Sequence, residues 1–138
     1  MRKAIIVDID GTLAKMNGRG PFEWHRVGED IVNEPVRLLV SMYADRGDGE
    51  IIIFSGRDGV CRPETHTWLI KNKIPFNELY MRPEGNFEKD SVIKRRLFDE
   101  HIAGKYDIEF VVDDRNQVVD MWRKDLGLTC FQVDYGDF

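Results

Sequence analysis

The segment from residue 4 to residue 13 constrains the fold more than any other part of the chain. Four apolar residues precede Asp8 and Asp10, which flank one isoleucine, and Gly11 and Thr12 follow. Such an apolar run is typical of a central strand that is buried on both faces of a sheet. Residues two apart share one face of an extended chain, so we expect the two carboxylates to point the same way. Their mutual repulsion favours a divalent cation at the end of this strand.

Strand-like and helix-like segments alternate along the rest of the chain. This alternation predicts a doubly wound, Rossmann-like α/β fold with a parallel five-stranded sheet, helices on both faces and no large cap domain. At 138 residues we expect a single domain. Residues 15–25 contain two glycines, a proline and an asparagine, which predict an irregular, mobile loop over the site. The predicted strands are 4–7, 50–54, 77–81, 107–112 and 128–133, and the predicted helices are 33–47, 63–72, 90–102 and 118–126.

Composition excludes some classes of function. Lys and Arg total 20 against 25 Asp and Glu, and the formal charge of −5 argues against a broad basic face that coats nucleic acid. Recognition of one phosphorylated end stays open. The apolar stretch near the N-terminus is too short for a signal sequence or a membrane span, so we expect a cytoplasmic protein. Cys61 and Cys130 lack metal-ligand spacing, which predicts reduced thiols, and we assign them no role.

Polar side chains follow three of the predicted strands. Asp8 and Asp10 follow the first, Ser55 the second, and Asp113 and Asp114 the fourth. In open α/β sheets, ligands bind beyond the carboxyl ends of the strands, so we expect these groups to share one site. Phosphoryl transfer from a monoester needs a nucleophile, a proton source for the leaving group and positive charge around the phosphoryl oxygens, all of which the sequence offers.

The residue types suggest individual roles. Asp8 is the candidate nucleophile, and Asp10 would protonate the leaving group and later deprotonate water. Mg²⁺ prefers oxygen ligands, and we expect Asp8 and Asp113 to bind it directly, with Asp114 binding directly or through water. The backbone carbonyl of Asp10 would supply another oxygen.

Positive and neutral groups complete the predicted site. Ser55 and the Gly56 amide would hold a phosphate oxygen, and Thr12 would either contribute its hydroxyl or cap the turn. Lys89 stands at the start of a predicted helix, where a cation opposes the helix dipole and a bound anion would compensate it. It would neutralise both the phosphate and the nucleophile. A solvated surface lysine is the alternative.

These residues match the four motifs of the haloacid dehalogenase superfamily of phosphohydrolases. The motifs are residues 8–12, Ser55, Lys89, and Asp113 with Asp114, in that order. More narrowly, the whole chain resembles the 3′-phosphatase domain of phage polynucleotide kinase-phosphatase. Residues 1–138 would then form a single phosphatase domain of haloacid dehalogenase type. The segments that carry the narrower resemblance are 11–21, 55–57, 113–115, 117–119, 121–123 and 136–138.

The resemblance implies a Mg²⁺-dependent phosphomonoesterase that acts in nucleic-acid end repair. It would remove the 3′-phosphate from DNA or RNA ends through an aspartyl-phosphate, and a 2′,3′-cyclic phosphate is a further substrate that the resemblance leaves open. Arg19, Arg57 and Arg82 would bind substrate, although each could instead form a surface ion pair. If the protein is phage-encoded, the cytoplasm would be that of the host cell.

The chain also departs from that family. It has no Gly-x-x-x-x-Gly-Lys-Ser/Thr phosphate loop, so we expect it to lack the kinase half and not to phosphorylate 5′ ends. A kinase or ligase partner on another chain stays open. In the family an aspartate can precede the motif lysine, whereas this chain has Asn86 before Lys89.

Two other functions compete with this interpretation. One is a phosphatase of nucleotides or other small phosphomonoesters, and the other is a receiver-type signalling domain. A receiver carries its phosphorylated aspartate after a middle strand, whereas here the Asp-x-Asp comes first and Ser55 follows the middle strand.

The spacing of the motifs leaves no room for a separate lid domain, which favours an open site and a macromolecular substrate. Phe22, Trp24 and Tyr80 would either stack on bases or belong to the core.

Overall fold

The predicted central strand lies in the middle of a five-stranded sheet in the computed structural model, which describes residues 1–138. The spatial order of the strands is β5-β4-β1-β6-β7, and every neighbouring pair is parallel. A separate antiparallel ribbon joins β2 and β3. The strands are β1 (Arg2–Val7), β2 (Ala14–Lys15), β3 (Ile31–Val32), β4 (Gly49–Asp58), β5 (Glu78–Arg82), β6 (Tyr106–Asp113) and β7 (Cys130–Gln132).

Helices cover both faces of the sheet. In β1, Ile5 and Val7 face one core, whereas Ala4 and Ile6 face the other, and all four are at most 1% exposed. Helices α1 and α2 pack on the first face, and α3 and α4 pack on the second. The helices are α1 (Glu34–Arg46), α2 (Arg62–Lys71), α3 (Asp90–His101) and α4 (Asn116–Asp120), which continues as one π-helical segment (Met121–Asp125); the 3₁₀ segments are Trp24–Glu29 and Gly59–Cys61.

The local sequence explains where α1 begins and ends. Pro35 occupies the first turn, where its missing N–H is not needed and its fixed φ suits the helix. Gly47 ends the helix with a φ of 79°, a left-handed conformation that glycine adopts without strain. The periodic apolar residues Val36, Val40 and Tyr43 are the buried ones. Capping and periodicity therefore fix this helix against the sheet.

The predicted α/β fold, its five parallel strands and the helices on both faces are confirmed. No cap domain interrupts the fold, because only the β2–β3 ribbon and a 3₁₀ segment lie between β1 and α1. The ribbon was not predicted, since strands of two residues carry no periodic signal. Strand β4 is longer than predicted and includes Ser55, Gly56 and Arg57, with its register against β5 shifting after Ser55.

Two further features bear on the sequence predictions. Cys61 and Cys130 are both buried, but they belong to the cores on opposite faces of the sheet, so they cannot reach each other. No helix in the structure has the length and apolar character needed to cross a bilayer.

The core on the α1–α2 face predicts the stability of two leucine variants. Leu69 is fully buried on α2, whereas Leu38 on α1 is 60% exposed. We expect Leu69→Ala to lower the free energy of unfolding by about 2–5 kcal/mol, because it leaves a cavity. Leu38→Ala is the matched control and should change it by no more than about 0.5 kcal/mol. Urea unfolding followed by circular dichroism measures both, and similar values for the two variants would contradict the packing described.

Candidate active site

The chemical groups meet in a cavity of about 490 Å³ beyond the carboxyl edge of the sheet. Asp8 directly follows β1, and Asp113 ends β6. These two strands are neighbours in register, with Val7 opposite Val112, which brings Asp8 and Asp113 together. Asp8, Asp10 and Asp114 line the cavity. The sheet topology therefore assembles the site from residues about 100 positions apart in the sequence.

Three buried carboxylates form the floor of the site. Asp8, Asp113 and Asp114 each place one oxygen within 4.8 Å of the others. Lys94 is the cation in direct contact with them, and its Nζ lies 2.8 Å from Oδ1 of Asp8 and 3.0 Å from Oδ2 of Asp113. One ammonium leaves an excess of negative charge. An all-oxygen donor set with that excess suits a hard divalent cation such as Mg²⁺.

The crowding of these charges shifts their pKa values. Burial and the neighbouring Asp113 carboxylate raise the pKa of Asp8 well above its ordinary value. Burial and Asp113 likewise raise the pKa of Asp114 to about 6. Burial alone would lower the pKa of Lys94, but the carboxylates of Asp113 and Asp8 outweigh it and raise that pKa. Lys94 is therefore charged, and the carboxylates compete for this one counter-charge.

The turn after β1 holds two of these carboxylates. The Thr12 hydroxyl lies 3.0 Å from Oδ2 of Asp8 and 3.4 Å from Oδ1 of Asp114, and its one hydrogen can be donated to either oxygen. Gly11 has a φ of +78°, and a Cβ at this position would lie 2.0 Å from Oδ2 of Asp114. No other residue type fits there, so the packing of Asp114 against the turn requires a glycine at position 11.

Asp10 lies in a different environment from Asp8. Strand β1 ends at Val7 and the chain turns from residue 9, yet Asp8 and Asp10 line the same cavity. The Asp10 carboxylate is about one-third exposed and lies outside the cluster of three. The predicted metal contact of Asp10 was through its backbone carbonyl, and that contact stays a prediction.

Two buried arginines hold Asp10. Arg57 donates to it through Nη2 at 2.8 Å and through Nε at 3.1 Å, and Arg19 donates through Nη2 at 3.3 Å. Both guanidinium groups also bind Asp30, at 2.7 Å from Arg57 and 2.8 Å from Arg19. Burial opposes the charge on Arg57, but Asp10 and Asp30 outweigh it and raise the pKa of Arg57. Two cations and two anions thus balance in a rigid network.

The structure puts Lys94, and not Lys89, against the predicted nucleophile. Lys89 precedes the first turn of α3, lines the cavity and has no carboxylate within 4 Å. Lys94 lies five residues further along, and its Nζ is 3.8 Å from the Asp90 carboxylate, an acidic neighbour that Asn86 does not provide for Lys89. The spacing carried a signal for this, because Lys94 adjoins Ile93 and precedes Leu97 on the face of α3 that is buried.

The predicted phosphate-binding residues of β4 lie beside the cavity. The buried Ser55 hydroxyl accepts the Arg57 backbone N–H at 3.1 Å and donates to no protein atom. Gly56 lines the cavity, and a Cβ there would lie 2.0 Å from Oδ1 of Asp90. Ser55 therefore has a free donor at the carboxyl edge of the sheet, as phosphate binding would need.

The three arginines predicted to bind substrate are occupied by protein groups. Arg19 and Arg57 are inaccessible and paired to Asp10 and Asp30. Arg82 donates to the carbonyls of Gly56 at 2.7 Å and Asn86 at 3.1 Å, and it also bonds Glu88. Arg82 thereby shapes the turn that follows β5. The spacing of charges in the sequence could not show this, because Arg57 binds Asp10 and Asp30, 47 and 27 positions away, and Arg82 binds backbone carbonyls.

The C-terminal tail completes one wall of the cavity. The Asn116 N–H donates to the Gly136 carbonyl at 2.9 Å, and a Cβ on Gly136 would lie 1.8 Å from the Asp114 carbonyl oxygen. Arg115 donates through Nε to the Phe138 carbonyl at 3.0 Å and lies 5.0 Å from the centre of its ring. No Asp or Glu side chain pairs with Arg115, and it lines the cavity.

Comparison with known proteins relates the whole chain to nucleic-acid repair enzymes. The sequence profile of the polynucleotide kinase PNKP phosphatase domain matches residues 2–138. A candidate bifunctional polynucleotide kinase/RNA ligase of Autographa californica nuclear polyhedrosis virus is 37% identical over 141 residues, which cover 99% of this chain.

Two solved structures share the fold closely. A chain in a structure of a Pnkp1/Rnl/Hen1 complex superposes with a TM-score of 0.96 at 46% identity and covers 100% of this chain. A chain in a structure of the Pnkp1/Rnl/Hen1 RNA repair complex has a TM-score of 0.95 at 47% identity over 99% of this chain. This chain spans only 20% of the viral relative, and 48% and 44% of the two solved chains.

The assignment of Lys94 predicts a contrast between two lysine variants. Lys94→Met leaves Asp8 and Asp113 buried without their cation, and we expect a loss of about 3–5 kcal/mol of unfolding free energy in metal-free buffer. Turnover of a small aryl phosphate should also be lost. Lys89→Met is the control and should keep the stability within about 0.5 kcal/mol and retain that turnover. The reverse pattern would restore Lys89 as the motif lysine.

The network around Asp10 predicts the effect of Arg19→Ala. Because Arg19 contacts Asp10 and Asp30 and not the open cavity, its loss should lower kcat/KM about equally on an aryl phosphate and on a 3′-phosphorylated oligonucleotide. A charge-assisted contact is worth roughly 1.5–3 kcal/mol, so we expect a drop of about tenfold or more. Arg26→Ala, which breaks an exposed ion pair with Glu29 on the same segment, is the control. A larger loss on the oligonucleotide would instead place Arg19 against the nucleic acid.

Proposed function

We propose that this chain, which belongs to the family of polynucleotide kinase PNKP phosphatase domains, removes the 3′-phosphate from nucleic-acid ends. The family makes it a phosphatase domain of the haloacid dehalogenase type. The observation that carries the proposal is the separation of two carboxylates along one turn of the chain. Asp8 is paired with a buried lysine, and Asp10 is held apart by two arginines.

Asp8 is the nucleophile in this proposal. Its carboxylate oxygen would attack phosphorus, forming a P–O bond to the protein as the ester P–O bond breaks. Lys94, 2.8 Å away, opposes the pKa-raising effect of burial on Asp8 and would offset charge on the phosphoryl oxygens. The Ser55 hydroxyl, which donates to no protein atom, would hold one of those oxygens together with the Gly56 amide.

Asp10 is the general acid and base. It would donate a proton to the leaving 3′-oxygen and later take a proton from the water that hydrolyses the aspartyl-phosphate. Its carboxylate is partly exposed to the cavity, while Arg57 and Arg19 fix its orientation. One residue can serve both steps because it stays in place between them.

Mg²⁺ fits the donor set of Asp8, Asp113 and Asp114. When bound, the ion would neutralise charge on the transferring phosphoryl group. The Thr12 hydroxyl and the Asp114 backbone N–H, which lies 2.8 Å from Oδ1 of Asp113, hold the carboxylates in the arrangement that the ion needs. Both contacts are between protein atoms and do not require the ion.

The substrate is proposed to be a polynucleotide, since the cavity is open and no cap domain covers it. Two of its cations, Lys89 and Arg115, have no carboxylate partner and are available to phosphates of the nucleic-acid backbone. The solved relatives belong to an RNA repair complex, which supports an RNA end and a kinase or ligase as partner. A 2′,3′-cyclic phosphate and small phosphomonoesters are the competing substrates.

Phosphate release from a set of defined substrates tests the proposal. We expect turnover of 3′-phosphorylated RNA and DNA oligonucleotides in Mg²⁺, at least tenfold faster in kcat/KM than of nucleoside 3′-monophosphates, and no release from 5′-phosphorylated ends. Exhaustive chelation should abolish turnover, and added Mg²⁺ should raise the melting temperature, because the ion binds only the folded state. A 2′,3′-cyclic end and blunt duplex ends complete the set.

Asp8→Asn is the control for these measurements. The amide has the same shape but cannot attack phosphorus, so the variant should fold and release no phosphate. Full activity of Asp8→Asn or of the chelated protein would overturn the mechanism. Faster turnover of nucleoside monophosphates than of oligonucleotides would favour the small-molecule phosphatase instead.

A further inference from the structure

Three phenylalanine rings are exposed in the wall of the active-site cavity. Phe22 is 80% exposed, Phe87 is 93% exposed and Phe138 is 66% exposed, and all three line the cavity. They come from the segment before the first 3₁₀ helix, from the turn after β5 and from the C-terminal tail. Three distant parts of the sequence thus present bare rings to one space.

This concentration of exposed rings is specific to the cavity. The structure exposes five Phe, Tyr or Trp side chains, and of these only Phe131 and Tyr135 lie elsewhere. Exposed rings gain nothing from the core, and a cluster of apolar surface beside a polar site is typical of a ligand-binding wall. The rings are therefore in position to contact a bound ligand.

Two of the rings are fixed by their neighbours. Trp24 packs edge-on against Phe22, with ring centres 6.0 Å apart and planes at 83°. The Arg115 guanidinium lies over Phe138 at 5.0 Å. Such bracing orients a ring at little entropic cost when a ligand binds, as stacking requires. Phe87, the most exposed of the three, stands on the turn that Arg82 ties to Gly56.

We propose that Phe22, Phe87 and Phe138 form a nucleoside subsite that stacks on the last bases before the 3′-phosphate. The inference rests on the proposed function, because the same cavity contains Asp8 and Asp10, and a nucleoside esterified to a phosphate held there extends into it. Every base has a π-face, so stacking would be tolerant of sequence. This subsite explains how an uncapped site distinguishes a nucleic-acid end from other phosphate esters.

Abasic substrates test the subsite. We compare kcat/KM for a 3′-phosphorylated oligonucleotide with that for the same oligonucleotide carrying abasic residues at its last two positions. We expect Phe22→Ala and Phe87→Ala each to lose roughly 5- to 150-fold on the first substrate. On the abasic substrate, each should match the wild-type protein within about twofold. Tyr135→Ala is the matched control, since its ring is 79% exposed but lies outside the cavity, and it should lose on neither.

The outcomes separate the subsite from the proposed function. Equal losses on the two oligonucleotides, or no loss on either, would overturn the subsite while leaving the 3′-phosphatase intact. A wild-type protein that hydrolyses an alkyl phosphate but neither oligonucleotide would overturn the proposed function and the subsite with it. A loss confined to the base-containing oligonucleotide supports the subsite, and retained turnover of the abasic one shows that the variant is folded.

Discussion

The excess of negative charge at the carboxyl edge of the sheet determines most of the site's architecture. Asp8, Asp113 and Asp114 are all buried, and Lys94 is the one cation that touches them. Removing such charges from water is unfavourable, so the fold surrounds them with donors. The Trp122 indole N–H, 3.2 Å from Asp113, and the Thr12 hydroxyl are examples. This imbalance costs stability, and a bound divalent ion would relieve it.

Asp8 and Asp10 are two residues apart, yet the fold gives them opposite electrostatic surroundings. Asp8 lies among carboxylates with one lysine, whereas Asp10 lies among guanidinium groups with one carboxylate, Asp30. The turn at Gly11 separates the two settings. In the proposed mechanism, these different surroundings accompany two different roles, nucleophile for Asp8 and proton carrier for Asp10. Asp10 and the buried Asp30 together balance the charges of the two guanidinium groups.

Much of the fold was predictable because its signals are local. Apolar runs identified β1 and β4, and Pro35 with Gly47 marked the ends of α1. Asp8, Ser55, Asp113 and Asp114 could be named because parallel strands bring their carboxyl ends to one edge. These predictions needed periodicity and topology alone.

The other parts of the site depend on contacts that are distant in the sequence. Lys89 and Lys94 differ by little more than one helical turn, and choosing between them needed the burial of α3 rather than its charge pattern. Arg19 and Arg57 have the composition of substrate ligands, but Asp30 occupies them, and nothing in the spacing indicated Asp30. The cluster of exposed phenylalanine rings could not be predicted from the sequence either, since Phe87 and Phe138 line one cavity only in the folded chain.

The fold of the C-terminal tail has a practical consequence for handling this protein. Gly136 lies against the Asp114 backbone and Phe138 faces the cavity, whereas Met1 precedes β1 at the opposite edge of the sheet. An affinity tag or fluorescent protein joined after Phe138 would emerge beside the mouth of the active site. There it would obstruct the approach of a long nucleic-acid substrate. The same label joined before Met1 would stay clear of it, so immobilisation for binding measurements belongs at the N-terminus.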